Sequence, residues 1–330
     1  MVSAVAIAAS AAGGYHLLQK VAVPGDGGWD YSIVDSAARR LYVSHGTRAE
    51  VIDVDSGALV GMIDNTAGIH GIAIAPELGR GFTSNGGPAT VTIFDLKTLK
   101  TLGEVKVTGE NPDAIIYDPA SQRVFTFNAR SSNATAIDAK EGKVAGTVEL
   151  GGKPEFAAAD GKGHVFVNLE DKDVVVQIDS RKIAAGERWP LGPCKEPGPM
   201  AIDVKNGRLF IGCHNRLLAV LDAKNGHVIT TVPIGQGPDA TEFDPGTGLV
   251  FSSNGDGTAT VIRQESPDKY SVLETVKTEP GARTMALDLK THKIFLSLAD
   301  RGPAPAPTAE TPRSRGAVVP GSFRVLIFGM

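Results

Sequence analysis

Two stretches decide the fold, DAIIYDPASQRVFTFN at residues 113–128 and DATEFDPGTGLVFSSN at residues 239–254, because they are copies of one pattern. A third copy, DYSIVDSAARRLYVSH, occupies residues 30–45. Each copy begins with a short apolar segment, continues through a turn led by aspartate and ends in a second alternating segment. This pattern predicts a pair of antiparallel β-strands, so we expect the chain to be built from a repeated β-unit.

Each strand pair is followed by a third apolar run that ends in aspartate, and in most units by a fourth strand, as in VAGTVELGG. The aspartates that end the third runs occupy equivalent places in five units: Asp53, Asp95, Asp138, Asp179 and Asp222. Because an aspartate at a turn can accept hydrogen bonds from its own backbone, we predict that these residues are structural.

The repeat recurs seven times along the chain. Its first strands begin near Asp30, His70, Asp113, Glu155, Gly198, Asp239 and Arg283, at spacings of 40 to 44 residues. Four short strands in a unit of roughly 40 to 45 residues are typical of a β-propeller blade, whereas helical repeats would show a 3.6-residue period. The last unit lacks a fourth strand, and YHLLQKVAV at residues 15–23 precedes the first unit. The sequence therefore predicts an all-β fold, a seven-bladed β-propeller formed by residues 15–330 as a single domain, with the last blade closed by the N-terminal strand.

Composition and the N-terminal residues limit the classes of function. The 330-residue chain has a formal net charge of -4 and no run of lysine or arginine, so nucleic acid is not an expected partner. Residues 1–14, MVSAVAIAASAAGG, are small and apolar, and we interpret them as a signal peptide or a truncated remnant of one, with an ordinary disordered start as the alternative. No segment is long and apolar enough to predict a membrane span. We therefore expect an exported protein, periplasmic or secreted.

The two cysteines, Cys194 and Cys213, have a spacing that matches no zinc motif. Cys213 ends a second strand in the fifth unit, and Cys194 lies in the loop that enters the same unit, so both are expected on one face. Export would place them where disulfides persist, and we predict a Cys194–Cys213 disulfide. Metal ligation together with His214, or two free thiols, are the alternatives.

The second strands end in a recurrent tetrapeptide. It reads YVSH at 42–45, FTSN at 82–85, FTFN at 125–128, FVN at 166–168 and FSSN at 251–254, and it degrades to FIGC at 210–213 and FLSL at 295–298. On these residues the chain resembles the YVTN-repeat, YncE-like family of bacterial exported seven-bladed β-propellers, over residues 15–330. The resemblance implies the fold more strongly than a function. Most such proteins are uncharacterised surface or periplasmic proteins, some relatives are implicated in binding single-stranded DNA, and others sit beside redox enzymes.

The starts of the first strands and the ends of the second strands lie on one face of such a ring, because the two strands are antiparallel. We call this face the funnel. The second strands end there in His45, Asn85, Asn128, Asn168, Cys213, Asn254 and Leu298. We predict that His45 faces the funnel beside His70, and we interpret the recurring asparagines as structural.

Acidic and histidine side chains dominate the starts of the first strands. Converging carboxylates repel one another unless a cation, a proton or an arginine compensates them. We therefore predict a ligand-binding site that comprises Asp30, His45, His70, Asp113, Glu155, Asp239 and Arg283. Within it, His45, His70 and Asp30 are candidate ligands of a divalent metal, either a transition metal or calcium. The alternative is that these residues only cap turns.

These features favour a non-catalytic exported protein that binds a small ligand, a glycan or a partner protein through the funnel. The alternative is a metal-assisted hydrolase or lactonase, because propellers at large include lactonases with a metal in the central channel and a metal can activate water. Binding of single-stranded DNA is a minor alternative, since it requires basic grooves with exposed aromatic side chains.

The Pro/Ala-rich insert at 301–321 is expected on the funnel face, as a lid, a partner-binding arm or an inert loop.

Overall fold

The strands form seven four-stranded antiparallel sheets in the computed structural model of the chain, which describes residues 14–306 and 316–330. The segment interpreted as a leader, residues 1–14, lies outside the described residues except for Gly14, and so does the centre of the 301–321 insert. Each sheet is one blade, and its first strand faces the centre of a ring. The chain is therefore an all-β, seven-bladed β-propeller, as predicted.

The first strand, β1, spans His16–Ala22 and precedes the first blade. Blades one to three follow in chain order: β2 (Trp29–Asp35), β3 (Arg40–His45), β4 (Arg48–Asp53), β5 (Leu59–Ile63); β6 (Ile69–Ala75), β7 (Arg80–Asn85), β8 (Thr90–Asp95), β9 (Thr101–Lys106); β10 (Pro112–Asp118), β11 (Arg123–Asn128), β12 (Asn133–Asp138), β13 (Lys143–Glu149).

Blades four to seven continue in the same way: β14 (Pro154–Ala159), β15 (His164–Leu169), β16 (Val174–Asp179), β17 (Ala184–Pro190); β18 (Pro197–Asp203), β19 (Arg208–Cys213), β20 (Leu217–Asp222), β21 (Val228–Pro233); β22 (Pro238–Asp244), β23 (Leu249–Asn254), β24 (Thr258–Ser266), β25 (Lys269–Lys277); β26 (Thr284–Asp288), β27 (Lys293–Leu298), β28 (Arg324–Gly329). Two 3₁₀ turns, Pro76–Leu78 and Glu170–Lys172, are the helical elements of the described residues, and neither could cross a bilayer.

Aspartate side chains hold the turns that face away from the funnel. In the first blade, Asp35 Oδ1 accepts hydrogen bonds from the backbone N–H groups of Ala37 and Ala38, at 3.0 and 2.8 Å. The aspartates at the ends of the third strands act in the same way on their own turns, and this confirms the structural role predicted for Asp53, Asp95, Asp138, Asp179 and Asp222. Each of these aspartates thus satisfies backbone donors of its own turn.

The recurring tetrapeptide is a packing signal. Its first residue is aromatic in every blade, and these side chains are at most 1% exposed: Tyr42, Phe82, Phe125, Phe166, Phe210, Phe251 and Phe295. They pack with aliphatic residues of the same and neighbouring blades in continuous apolar clusters. Burial of a large aromatic side chain stabilises the fold by several kcal/mol, roughly 3 to 5 for its truncation to alanine, so one aromatic residue in each blade is a major part of the core.

The ring is closed by pairing of the two ends of the chain. β1 runs antiparallel to β28, with register from His16 opposite Gly329 to Ala22 opposite Arg324. The seventh blade therefore has the strand order β26, β27, β28, β1, and its outermost strand comes from the N-terminus. This closure, which confirms the prediction, removes the exposed sheet edges that an open ring would present.

The closing pair can be tested with two variants of one cross-strand pair. Phe328 is 2% exposed and packs in the core, whereas Leu17, opposite it, is 40% exposed. We expect Phe328→Ala to lower the free energy of unfolding by about 3 to 5 kcal/mol, and Leu17→Ala by about 0.5 kcal/mol or less. Urea denaturation followed by circular dichroism measures both values, and equal effects would show that Phe328 does not pack in the core.

Candidate functional site

The starts of the first strands enclose a chamber of about 220 Å³ at the funnel end of the central channel. It is lined by six of the seven residues that the repeat predicted for the inner set: Asp30, Asp113, Glu155, Gly198, Asp239 and Arg283. Glu170 and Glu242 also line it, so six lining residues carry carboxyl groups, and Arg283 is the one cation in the lining that the described part of the chain supplies. We call this cavity the acidic chamber.

His70 lies at the edge of the acidic chamber, between two of its carboxylates. Its Nδ1 is 2.8 Å from Asp30 Oδ2 and 3.6 Å from Asp113 Oδ1. The donor atoms of the three residues lie within 4.8 Å of one another, and all three side chains are partly buried. One imidazole and two carboxylates at this spacing have the donor chemistry of a divalent transition-metal site.

Two further cations balance part of the remaining negative charge. Lys153 Nζ is 2.6 Å from Glu155 Oε1 and also contacts Glu170. Arg283 Nη1 is 2.5 Å from Asp239 Oδ1. Among residues 14–306 and 316–330, the carboxyl groups outnumber these cations even with His70 protonated, so the described part of the acidic chamber carries a deficit of positive charge.

Burial, and after it the excess of negative charge, shifts the pKa values of the carboxyl groups. Burial and, second, the charge of Asp30 raise the pKa of Asp113 to about 7. Burial and, second, the charge of Asp113 raise the pKa of Glu155 to about 8. Burial acts to lower the pKa of His70, but the hydrogen bond to Asp30 and the charges of the neighbouring acids raise it overall. Near neutral pH, part of the charge is therefore neutralised by bound protons.

Glu242 lies deeper in the channel than the ring of strand starts. Within residues 14–306 and 316–330, no ion pair or hydrogen bond to its carboxyl group is formed, and burial alone raises its pKa to about 8. The equivalent residues in the other blades are apolar: Ile33, Ala73, Ile116, Ala158, Ala201 and Ala286. An acid in an otherwise apolar position is the signal that could have identified Glu242 from the sequence.

Tyr31 and Phe156 divide the central channel. They belong to blades one and four, on opposite sides of the ring, and their ring centroids are 4.6 Å apart. Both line the acidic chamber and also a second, mainly apolar cavity of about 580 Å³, which extends toward the opposite face. Glu242 lines both cavities as well, so this aromatic pair and one carboxyl group form the floor of the acidic chamber.

The prediction that His45 faces the funnel beside His70 is wrong, and His45 is not a donor in the cluster. Its side chain is 1% exposed and stacks on Phe323, with centroids 4.1 Å apart. Its Nδ1 lies 3.6 Å from the buried carboxylate of Glu50. The residues that end the second strands are buried between blades. The third donor of the cluster is Asp113, in the place that we assigned to His45.

Three asparagines, Asn85, Asn128 and Asn254, hold the equivalent positions, are also fully buried, and are structural as predicted. Asn85 Nδ2 donates to the hydroxyl groups of Thr90 and Thr92 in its own blade, at 3.2 and 2.8 Å. Asn128 and Asn254 make the same kind of bond to threonines of their third strands. These three amides tie the second strand to the third and do not reach the acidic chamber. The placement of Asn168 is wrong by one residue, because β15 ends at Leu169, and its amide donates instead to the carbonyl oxygen of Gly198 in the next blade, at 2.8 Å.

The channel-facing residues of the first strands could not be assigned by simple alternation. In six of the seven blades, the register between the first and second strands shifts near the start of the first strand. A bulge turns neighbouring residues toward the same side, so both Asp30 and Tyr31 line the chamber. Alternation with a period of two would have placed them on opposite faces.

Cys194 and Cys213 form a disulfide, with their Cα atoms 5.6 Å apart. Both residues are fully buried beside Trp189 and Met200 in the core of blades four and five. The bond ties the loop that enters β18 to the end of β19, next to the acidic chamber.

Comparison with known proteins supports the fold and no function. No protein-family model matches the chain, and no curated protein matches its sequence. Among solved structures, the chain is similar to one from "Kuenenia stuttgartiensis Hydrazine Synthase", with a TM-score of 0.72 and 14% sequence identity over 83% of this chain and 94% of that chain. At this identity the likeness extends to the propeller fold alone.

The disulfide is expected to stabilise the funnel face. It links residues 19 positions apart, and the loss of chain entropy in the unfolded state corresponds to roughly 3 kcal/mol. We expect the double variant Cys194→Ala/Cys213→Ala to unfold at lower urea concentration than the wild type, and the reduced wild type to behave like the variant. Equal stability of the oxidised and reduced wild type would contradict this expectation.

Glu242 should make stability depend on pH. Its pKa rises from 4.5 in the unfolded chain to about 8 in the folded protein, so the folded state binds more protons between these values and loses stability as pH rises. We expect Glu242→Gln to be more stable than the wild type at pH 8.5, by on the order of 1 to 3 kcal/mol, because the variant has no charge to bury. Denaturation curves from pH 5 to pH 8.5 measure this difference, which should shrink toward pH 5. A difference that is constant with pH would contradict the assignment.

Proposed function

We propose that this chain is an exported propeller of the YVTN-repeat type that binds a small ligand with a positively charged group in the acidic chamber and catalyses no reaction. The observation that carries the proposal is the excess of carboxyl groups over cations among the described residues of one cavity. Such an arrangement costs folding free energy unless the negative charge is compensated. A bound cation supplies that compensation directly.

The size of the acidic chamber favours a small ligand over a glycan or a partner protein. Its volume of about 220 Å³ is below the roughly 300 to 1,000 Å³ of pockets that hold drug-sized ligands. This space admits a metal ion with part of its hydration shell, or a small organic amine. The aromatic floor formed by Tyr31 and Phe156 limits how deep such a ligand can enter.

A periplasmic or secreted location is part of the proposal. The small, apolar residues 1–14 support it, and so does the disulfide, because disulfides persist mainly in oxidising compartments. Binding of single-stranded DNA has no support at this site, since a cluster of carboxylates repels phosphate groups.

A second candidate is a metal-assisted hydrolase or lactonase that uses Asp30, His70 and Asp113. The close approach of their donor atoms favours it. When bound, a divalent metal would supply an activated water or polarise a carbonyl group. The three residues would hold the ion at the edge of the acidic chamber. Arg283 would attract an anionic group of the substrate.

Titration calorimetry with Ca²⁺, Zn²⁺ and propylamine, each as a separate probe, tests the binding proposal. We expect at least one probe to bind at millimolar concentration or below, with affinity about tenfold or more lower in Asp113→Asn, because one carboxylate facing the cation is lost. Asp55→Asn removes the same charge at an exposed turn on the opposite face and serves as the control. If no probe binds to the wild type, or if both variants lose affinity equally, the acidic chamber is not a cation site.

The hydrolase candidate has its own test. The protein is incubated with Zn²⁺ or Ca²⁺ and assayed on aryl esters and lactones. Activity that is lost in both His70→Ala and Asp113→Asn but kept in Asp55→Asn would favour the hydrolase. Binding of a probe without turnover of any ester or lactone would favour the non-catalytic function.

A further inference from the structure

A third cavity, of about 240 Å³, adjoins the acidic chamber on the funnel face. Its lining differs sharply in charge from that of the acidic chamber: Trp29, His214, Gly237, Gly255, Gly281, Arg283 and Arg301. Among the described residues, no acidic side chain lines it. We call this cavity the basic pocket.

Arg283 lies on the boundary between the two cavities, because it lines both of them. Its Nη1 pairs with Asp239, a wall residue of the acidic chamber. A guanidinium group has five N–H donors in a planar fork, so one carboxylate leaves further donors for a group in the basic pocket. One side chain thus connects a negative cavity and a positive one.

Arg301 is held in position on the other side of the basic pocket. Its guanidinium carbon lies 5.0 Å from the centroid of the Trp29 ring, and its Nη1 donates a 2.9 Å hydrogen bond to the carbonyl oxygen of Gly316. Burial and, second, the charge of Arg283 lower the pKa of Arg301. Two guanidinium groups that repel each other in one cavity are stabilised when an anion lies between them.

We infer that the ligand of this propeller is dipolar, with its cationic group in the acidic chamber and a carboxylate or phosphate group in the basic pocket against Arg283 and Arg301. This inference rests on the proposed function and names the chemical class of the ligand. A metal ion alone would occupy only one of the two cavities. A small molecule that carries both charges places each one in the cavity of opposite sign, and joining two binding groups in one molecule raises affinity over either group alone.

Tryptophan fluorescence provides the test, because Trp29 lines the basic pocket and the chain has one other tryptophan, Trp189. In a Trp189→Phe background, Trp29 is the single reporter. The dipolar probes are ω-amino acids of increasing length, from β-alanine to 6-aminohexanoate, together with phosphoethanolamine. The matched probes with one charge are propylamine, propionate and inorganic phosphate.

We expect the best dipolar probe to bind at least about tenfold more tightly than propylamine and than either anion, because both cavities contribute. Arg301→Gln should reduce this preference to about threefold or less while leaving the affinity for propylamine unchanged, and Arg301→Lys, which keeps the charge, should retain part of it. Arg263→Gln, an exposed arginine on the outer part of blade six, should have no effect. Thermal denaturation checks that each variant is folded.

The outcomes separate the inference from the proposed function. If propylamine binds but no dipolar probe binds more tightly, or if the preference survives in Arg301→Gln, the dipolar ligand is disproved and the cation site stands. If neither propylamine nor any dipolar probe binds, both proposals fall. If only phosphate or propionate binds, the basic pocket is an independent anion site and the dipolar ligand is likewise disproved.

Discussion

The pairing of β1 with β28 is the interaction on which the rest of the molecule depends, because it closes seven blades into one ring. The two strands share a register that runs from His16 to Ala22 along the end of the chain. Only in a closed ring do first strands from different blades converge on one axis. The acidic chamber has walls from six of the seven blades, so no single hairpin or blade contains it. The candidate site is therefore a property of the ring closure and not of any local motif.

The features that could be predicted from the sequence are those that each blade repeats. Turn aspartates, the aromatic residue of each tetrapeptide and the starts of the first strands recur at a fixed period, and this period was enough to place Asp30, His70 and Asp113 at the same mouth. His45 was misplaced because its environment is not local: it packs on Phe323, which follows the insert at the far end of the chain. Glu242 was missed because the bulges in the first strands break the alternation that would have indicated which residues face the channel.

Charge at the funnel departs from what folding alone would favour. Carboxyl groups are brought together on one side of Arg283, and the guanidinium group of Arg301 lies on the other side. Each cluster raises the free energy of the folded ring, and neither contributes to the apolar packing between blades. The cost is affordable because the buried aromatic residues and the closed sheet edges stabilise the scaffold independently of the centre. Local rules of stability are commonly broken at sites of this kind, where interactions with another molecule restore the balance.

The contact between Tyr31 and Phe156 also determines how a solute can move through the molecule. With their centroids 4.6 Å apart, the two rings narrow the central channel between the acidic chamber and the larger apolar cavity. For a solute in the acidic chamber, the way to the opposite face leads past this aromatic contact, whereas the way to the funnel face does not. Under the proposed function, capture and release would therefore both favour the funnel face.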